Sequence, residues 1–145
     1  MRFLIIQFKQ IGDVLLSSPI CTNLRNKYPD ATIDFAVYDF AAGVVQQNPN
    51  INNIIVLDSK RVYDPFYLLK VWLQIIRNKY DVVIDVITKL GSSIMTHLSG
   101  APIRIGFDKR MRRLAYNYKV SVKAPNAVKI SGAGNTIDHR LSLLF

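Results

Sequence analysis

The residues whose types could do chemistry gather just after apolar runs. Gln7, Lys9, Gln10, Gly12 and Asp13 follow Phe3-Leu4-Ile5-Ile6, Asp58 follows Asn53–Leu57, and Asp85, Lys89, Ser92 and Ser93 close or follow Asp81–Asp85. Gly12-Asp13 places a lone carboxylate beside a residue with no side chain. That pairing suits a general base, which needs a proton acceptor within hydrogen-bond reach of a bound hydroxyl. An aspartate where a strand turns into a helix equally suits an N-cap, and spacing alone leaves both roles open. Lys9, Gln10, Lys89 and Ser92 are residues that hold anionic or hydroxyl-rich ligands. Lys109, Arg110, Arg112 and Arg113 form a dense basic run, either a solvated loop or an anion contact.

Several chemistries are excluded by pattern. The first loop has neither the G-x-G-x-x-G of a dinucleotide site nor the G-x-x-x-x-G-K-[ST] of a P-loop. A magnesium-dependent phosphoacceptor would need paired acids after the first strand, where Phe8-Lys9-Gln10 stands instead. His97 and His139 lack metal-ligand spacing, so no metal and no cofactor is expected. Cys21 is the only cysteine. It can form no intrachain disulfide and reads as a small, partly buried apolar residue.

The 145 residues carry a formal charge of +9, from 19 basic and 10 acidic side chains. Such a balance favours an anionic partner: phosphate, acidic sugar, membrane headgroup or nucleic acid. Nucleic acid is not expected, because the basic residues are not interleaved with aromatic ones and no recognition motif appears. A nucleotide- or nucleic-acid-binding module without catalysis remains the competing class. The N-terminal apolar run is too short for a signal-peptide core, and no run approaches the ~20 residues of a membrane span. The chain therefore reads as cytoplasmic.

Strand and helix signals alternate to position these groups. Strands are expected over Arg2–Phe8, Thr32–Val37, Asn53–Leu57, Asp81–Asp85, Ile103–Phe107 and Tyr118–Val122. Helical spacing runs from Asp13 to Tyr28. Pro19 either kinks this helix or begins it late behind a Ser18 cap. Ala41–Gln47 reads as a short helix. Asp64-Pro65 opens the clearest one, with Leu68, Leu69, Trp72, Leu73 and Ile76 as its apolar face and Trp72 as a core residue. A short helix runs through Ser99, and Thr136–Phe145 is again helical. The alternation predicts a Rossmann-like, doubly wound parallel α/β sheet, one domain over 1–145, with ligands beyond the carboxyl ends of its strands.

Four stretches together resemble glycosyltransferase family 9, the ADP-heptose:lipopolysaccharide heptosyltransferases. They are Ile11-Gly12-Asp13-Val14-Leu15-Leu16-Ser17-Ser18-Pro19, Asn48-Pro49 leading into Ile54–Asp58, Tyr80–Asp85, and Leu98–Asp108. The resemblance implies the N-terminal half of a GT-B enzyme, with two Rossmann-like domains flanking the active site. This domain would receive the acceptor, and Asp13 would be the base of an inverting transfer that releases ADP without a metal. From their place at the expected ligand edge Gly12, Lys9, Gln10, Asp85, Lys89 and Ser92 are the expected substrate-binding residues, and the resemblance gives Lys109, Arg110, Arg112 and Arg113 a role in reaching acidic sugars and phosphates. The partners implied are an acceptor glycolipid of the lipopolysaccharide inner core and, at the periphery, the inner membrane. The sequence departs from the family near its end, where Asn135 stands close to the place of a usual histidine. The nucleotide-sugar domain is expected to be absent from these 145 residues. On that expectation an ADP-sugar donor binds only when a second domain is supplied, and the chain alone has little or no transferase activity.

Overall fold

The first apolar run becomes β1 (Arg2–Gln7), buried on both faces from Phe3 onward. β2 (Thr32–Tyr38) pairs along one side of it and β4 (Val82–Asp85) along the other, so that Ile5 stands opposite both Phe35 and Ile84. With β3 (Asn53–Leu57), β5 (Ile103–Phe107) and β6 (Tyr118–Val120), they complete an all-parallel sheet in the order β3-β2-β1-β4-β5-β6. The computed structural model describes residues 1–108 and 114–120. The expected helix over Thr136–Phe145, the end of the expected strand at 121–122, and Asn135 lie outside these residues.

The strand order reverses between β1 and β4. Right-handed crossovers then require the first connections to cover one face and the later ones the other. Alternate side chains of β1 serve the two layers accordingly. Phe3 and Ile5 pack with Ile20, Cys21 and Leu24, while Leu4 and Ile6 pack with Val71, Ile75 and Met95. The gap created by this reversal lies at the carboxyl ends of β1 and β4, the usual ligand position in such sheets.

Pro19 kinks the first helix; it does not delay it. α1 (Ile11–Ser17) and α2 (Pro19–Lys27) join at Ser18, which keeps helical dihedrals of −60° and −30°. The Ser18 hydroxyl donates to the Leu15 carbonyl at 2.8 Å and caps nothing. The helix therefore begins directly after the strand, and the first loop is short. The segment expected as a helix over Ala41–Gln47 is instead a 3-10 helix over Asp39–Val44. α3 (Pro65–Arg77) starts as expected: the Asp64 carboxylate accepts from the N–H groups of Phe66 and Tyr67. Its buried face is rotated from the expected one and centres on Val71 and Ile75. Leu69 and Leu73 stay 46% and 41% exposed. α4 (Leu90–Leu98) follows β4 on the same layer.

Two polar features secure this frame. Buried Asp34 in β2 accepts from the Tyr80 hydroxyl at 2.7 Å and the Asn53 amide at 2.8 Å, so its carboxyl oxygens are both bonded inside the sheet. At the opposite edge from the ligand side, the Arg25 guanidinium donates to the carbonyls of Pro29 and Ala31 and to Asn52 Oδ1, fastening α2 to two turns.

Candidate functional site

The turn from β1 into α1 sets the position of Asp13. The chain swings at Gln10, the N-cap residue, whose backbone is extended and whose side chain makes no capping bond. Asp13 is therefore not the N-cap. It stands two residues into the helix, in the first turn, where a carboxylate is favoured by the helix dipole. Gly12 is part of that turn, and a Cβ built on it would meet nothing within 4 Å. The glycine is not needed for chain reversal and leaves open space beside Asp13.

Gln7, at the end of β1, fixes this turn from below. Its amide donates to Ser17 Oγ at 2.8 Å and to the Asp13 carbonyl at 3.3 Å, and Ser17 Oγ donates to the same carbonyl. Lys9 Nζ lies 3.6 Å from Asp13 Oδ1, with side-chain exposures of 44% and 24%. An exposed pair of this kind contributes little and yields readily to a stronger anion. Lys9 and Gln10 are exposed on the same lip.

The second loop differs from expectation. Asp85 is fully buried. Its Oδ1 accepts from the N–H groups of Ile87 and Thr88 at 3.1 and 2.8 Å, and its Oδ2 from the Tyr116 hydroxyl at 2.6 Å. Burial pushes its carboxyl above the usual carboxylate range, with these hydrogen bonds opposing. Asp85 thus braces the loop and is corrected from a substrate-binding residue to an internal one. Ser92 is likewise engaged internally, although it belongs to the lining of the groove on the α3–α4 layer. It is buried, and its hydroxyl bonds both the N–H and the carbonyl of Lys89. Lys89 itself is exposed, and its side chain forms no ion pair among the described residues. Lys109, Arg110, Arg112 and Arg113 lie outside the described residues.

Two positions in this brace were not singled out from sequence. Tyr116 bonds both Asp85 and Ser93, the latter at 2.7 Å, and its ring lies against Gly106 in β5, where an added Cβ would fall 2.5 Å from Cε1. An isolated glycine inside a strand signals such an approach, so Gly106 was legible. Nothing local marked Tyr116, whose partner is 31 residues away.

On the α3–α4 layer the carboxyl edge opens into an apolar groove of about 460 Å3. Phe8, Tyr38, Trp72, Ile87 and Ile94 line it, and Lys89 is the one charged lining residue among the described residues. Trp72 is therefore a half-buried wall residue, not a core residue. Its indole N–H donates to the Leu98 carbonyl at 2.9 Å, joining α3 to the end of α4.

What this arrangement offers chemically is a proton acceptor at a ligand-side sheet edge, a cation beside it, and a second cation over an apolar groove. Comparisons with known proteins give it a context. The model of glycosyltransferase family 9 (heptosyltransferase) matches residues 68–131. Lipopolysaccharide heptosyltransferase 3 of Escherichia coli is 30% identical over 139 residues, covering 92% of this chain and 39% of that protein. The protein of the same name from strain K12 is 35% identical over 78 residues, 51% of this chain and 22% of that one. The chain thus spans well under half the length of these relatives. The fold is that of the glycosyl transferase family 9 protein of Veillonella parvula, with a TM-score of 0.84 and 23% identity over 99% of this chain and 40% of that one. It is likewise that of the E. coli heptosyltransferase WaaC with ADP-2-deoxy-2-fluoro heptose, with a TM-score of 0.79 and 20% identity over 99% and 47%.

Proposed function

Because this chain belongs to glycosyltransferase family 9, we propose that it is the acceptor-side domain of an inverting glycosyltransferase. The enzyme moves heptose, or a related sugar, from an ADP-sugar to the lipopolysaccharide core. The observation that carries this reading is the setting of Asp13, in the first turn of α1 beside the open space left by Gly12.

In the proposed reaction a core hydroxyl settles over Gly12, and Asp13 accepts its proton as the oxygen attacks the anomeric carbon. The new glycosidic bond forms as the bond to the diphosphate breaks, the configuration inverts, and ADP leaves. Lys9 has a part before the chemistry. A phosphate or acidic sugar of the acceptor competes for its ammonium and draws it from Asp13. The donor side of the site is contributed from outside these 145 residues, and the chain alone turns over little or not at all. Lys89 draws the anionic acceptor to this edge and the charge of Lys109, Arg110, Arg112 and Arg113 adds to the attraction, in the cytoplasm and at the periphery of the inner membrane.

Two measurements test the reading. Titration of the chain with phosphorylated inner-core oligosaccharide shifts the amide resonances of Gly12 and Asp13, and unchanged resonances would count against an acceptor site. In a polypeptide that also carries the donor domain, Asp13→Asn abolishes turnover while acceptor binding persists. Retained turnover would remove Asp13 as the base.

A further inference from the structure

The groove between α3 and α4 has no part in the proton transfer, yet it is built unlike an ordinary surface. α3 carries more apolar side chains than its contact with the sheet uses. Val71 and Ile75 satisfy the core, while Leu69 and Trp72 face the groove, opposite Ile94 at 50% exposure on α4. Soluble domains rarely leave apolar side chains of two neighbouring helices facing one open trough. Its volume of about 460 Å3 falls within the ~300–1,000 Å3 of small-molecule sites.

Lys89 selects the occupant. It is the one charged residue of the lining, it is exposed, and it forms no ion pair among the described residues. Its backbone is held by Ser92 and Ser93, whose hydroxyls both donate to its carbonyl. An apolar trough with one exposed cation at its lip, in no ion pair among the described residues, complements an amphiphile with an alkyl chain and an anionic head, and the chain's formal charge of +9 acts in the same direction. We propose that this groove is a membrane-docking site that takes an acyl chain of an anionic bilayer phospholipid, with Lys89 against the phosphate. The inference rests on the proposed function for its setting at a membrane and gives the peripheral contact a defined place. It does not involve Asp13.

Trp72, the only tryptophan of the chain, lies in the groove wall and reports occupancy directly. Phosphatidylglycerol vesicles with acyl chains brominated midway along should quench its emission and shift it to the blue. Phosphatidylcholine vesicles carrying the same bromines should bind about fivefold more weakly, the scale of one exposed ion pair. Lys89→Glu should remove that preference. Ile94→Asp, at an exposed position that leaves the core intact, should abolish quenching with an unchanged circular dichroism spectrum. Absence of quenching in the full chain would overturn the proposal, as would equal quenching by both lipids or binding to vesicles without quenching. The titration at Gly12 and Asp13 is read on the unsubstituted chain with soluble oligosaccharide and no vesicles, so this inference and the acceptor reading fail separately.

Discussion

Replacing Gly106 by alanine tests the internal brace that holds the second loop. The added methyl would lie 2.5, 2.6 and 2.8 Å from three atoms of the Tyr116 ring, well inside contact distance. The ring is not free to swing aside, because its hydroxyl is held by Asp85 at 2.6 Å and Ser93 at 2.7 Å. If the backbone yields instead, the cost is that of overpacking a core, about 1–3 kcal/mol. If the ring yields, a bond to a buried carboxylate is lost, again about 1.5–3 kcal/mol. Either route predicts a loss of about 1–3 kcal/mol, or roughly 3–10 °C in Tm for a domain of this size. Urea and thermal unfolding measure it, and a double-mutant cycle with Tyr116→Ala locates its cause. Once the ring is gone the alanine should cost little, giving a coupling of at least about 1 kcal/mol. A loss below about 0.5 kcal/mol for Gly106→Ala, or strict additivity in the cycle, would refute the reasoning.

Asp85→Asn should change the pH dependence of stability more than stability itself. Native Asp85 binds its proton more tightly than the unfolded chain does. The stability it contributes is present below the unfolded pKa of about 3.9 and is lost as pH rises through the raised native value. The asparagine keeps an acceptor for Ile87 and Thr88 and loses this slope, so the stability of the variant relative to wild type should climb above pH ~4, as followed by urea midpoints. A difference that stays flat with pH would contradict it. Burial pushes the Cys21 thiol up to about 12, and the residue is wholly enclosed. A disulfide reagent should therefore label the native protein only as fast as it opens, and the urea-unfolded protein at once. Fast stoichiometric labelling under native conditions would show that the α2 layer is not closed.

The order of strands and helices was legible because each strand is a short apolar run bounded by turn residues, and because Asp64-Pro65 is a complete helix start. The Pro19 ambiguity was not resolvable locally. Both outcomes place proline acceptably, and tertiary contact through Gln7 and Ser17 decides for a helix that begins early. The face of α3 was misjudged for a related reason: nine hydrophobic residues, Tyr67 included, wind around most of that helix, and periodicity cannot say which of them meet the sheet. At the site, Gly12-Asp13 could be read from residue type, whereas the inward turn of Asp85 could not. A carboxylate at a strand end looks the same whether it faces solvent or a tyrosine brought from 31 residues away.

The central place of β1 in the sheet has a consequence for the nascent chain. Of the described strands of this sheet β1 is made first, and β2 covers one of its edges by Tyr38, but its other edge pairs among the described residues with β4, which ends at Asp85. Ribosomes add about 5–20 residues per second, so roughly 2–10 s separate these events. Throughout that interval a strand with four consecutive apolar residues, Phe3 to Ile6, presents an unpaired edge inside the growing polypeptide. The closure that ends it is marked by a reciprocal pair of bonds, from Arg2 N–H to Asp81 Oδ2 at 2.7 Å and from Asp81 N–H to the Arg2 carbonyl at 2.9 Å. Translation slowed before residue 81 would prolong the exposure and recruit chaperones, whereas release of the segment through Asp85 would end it.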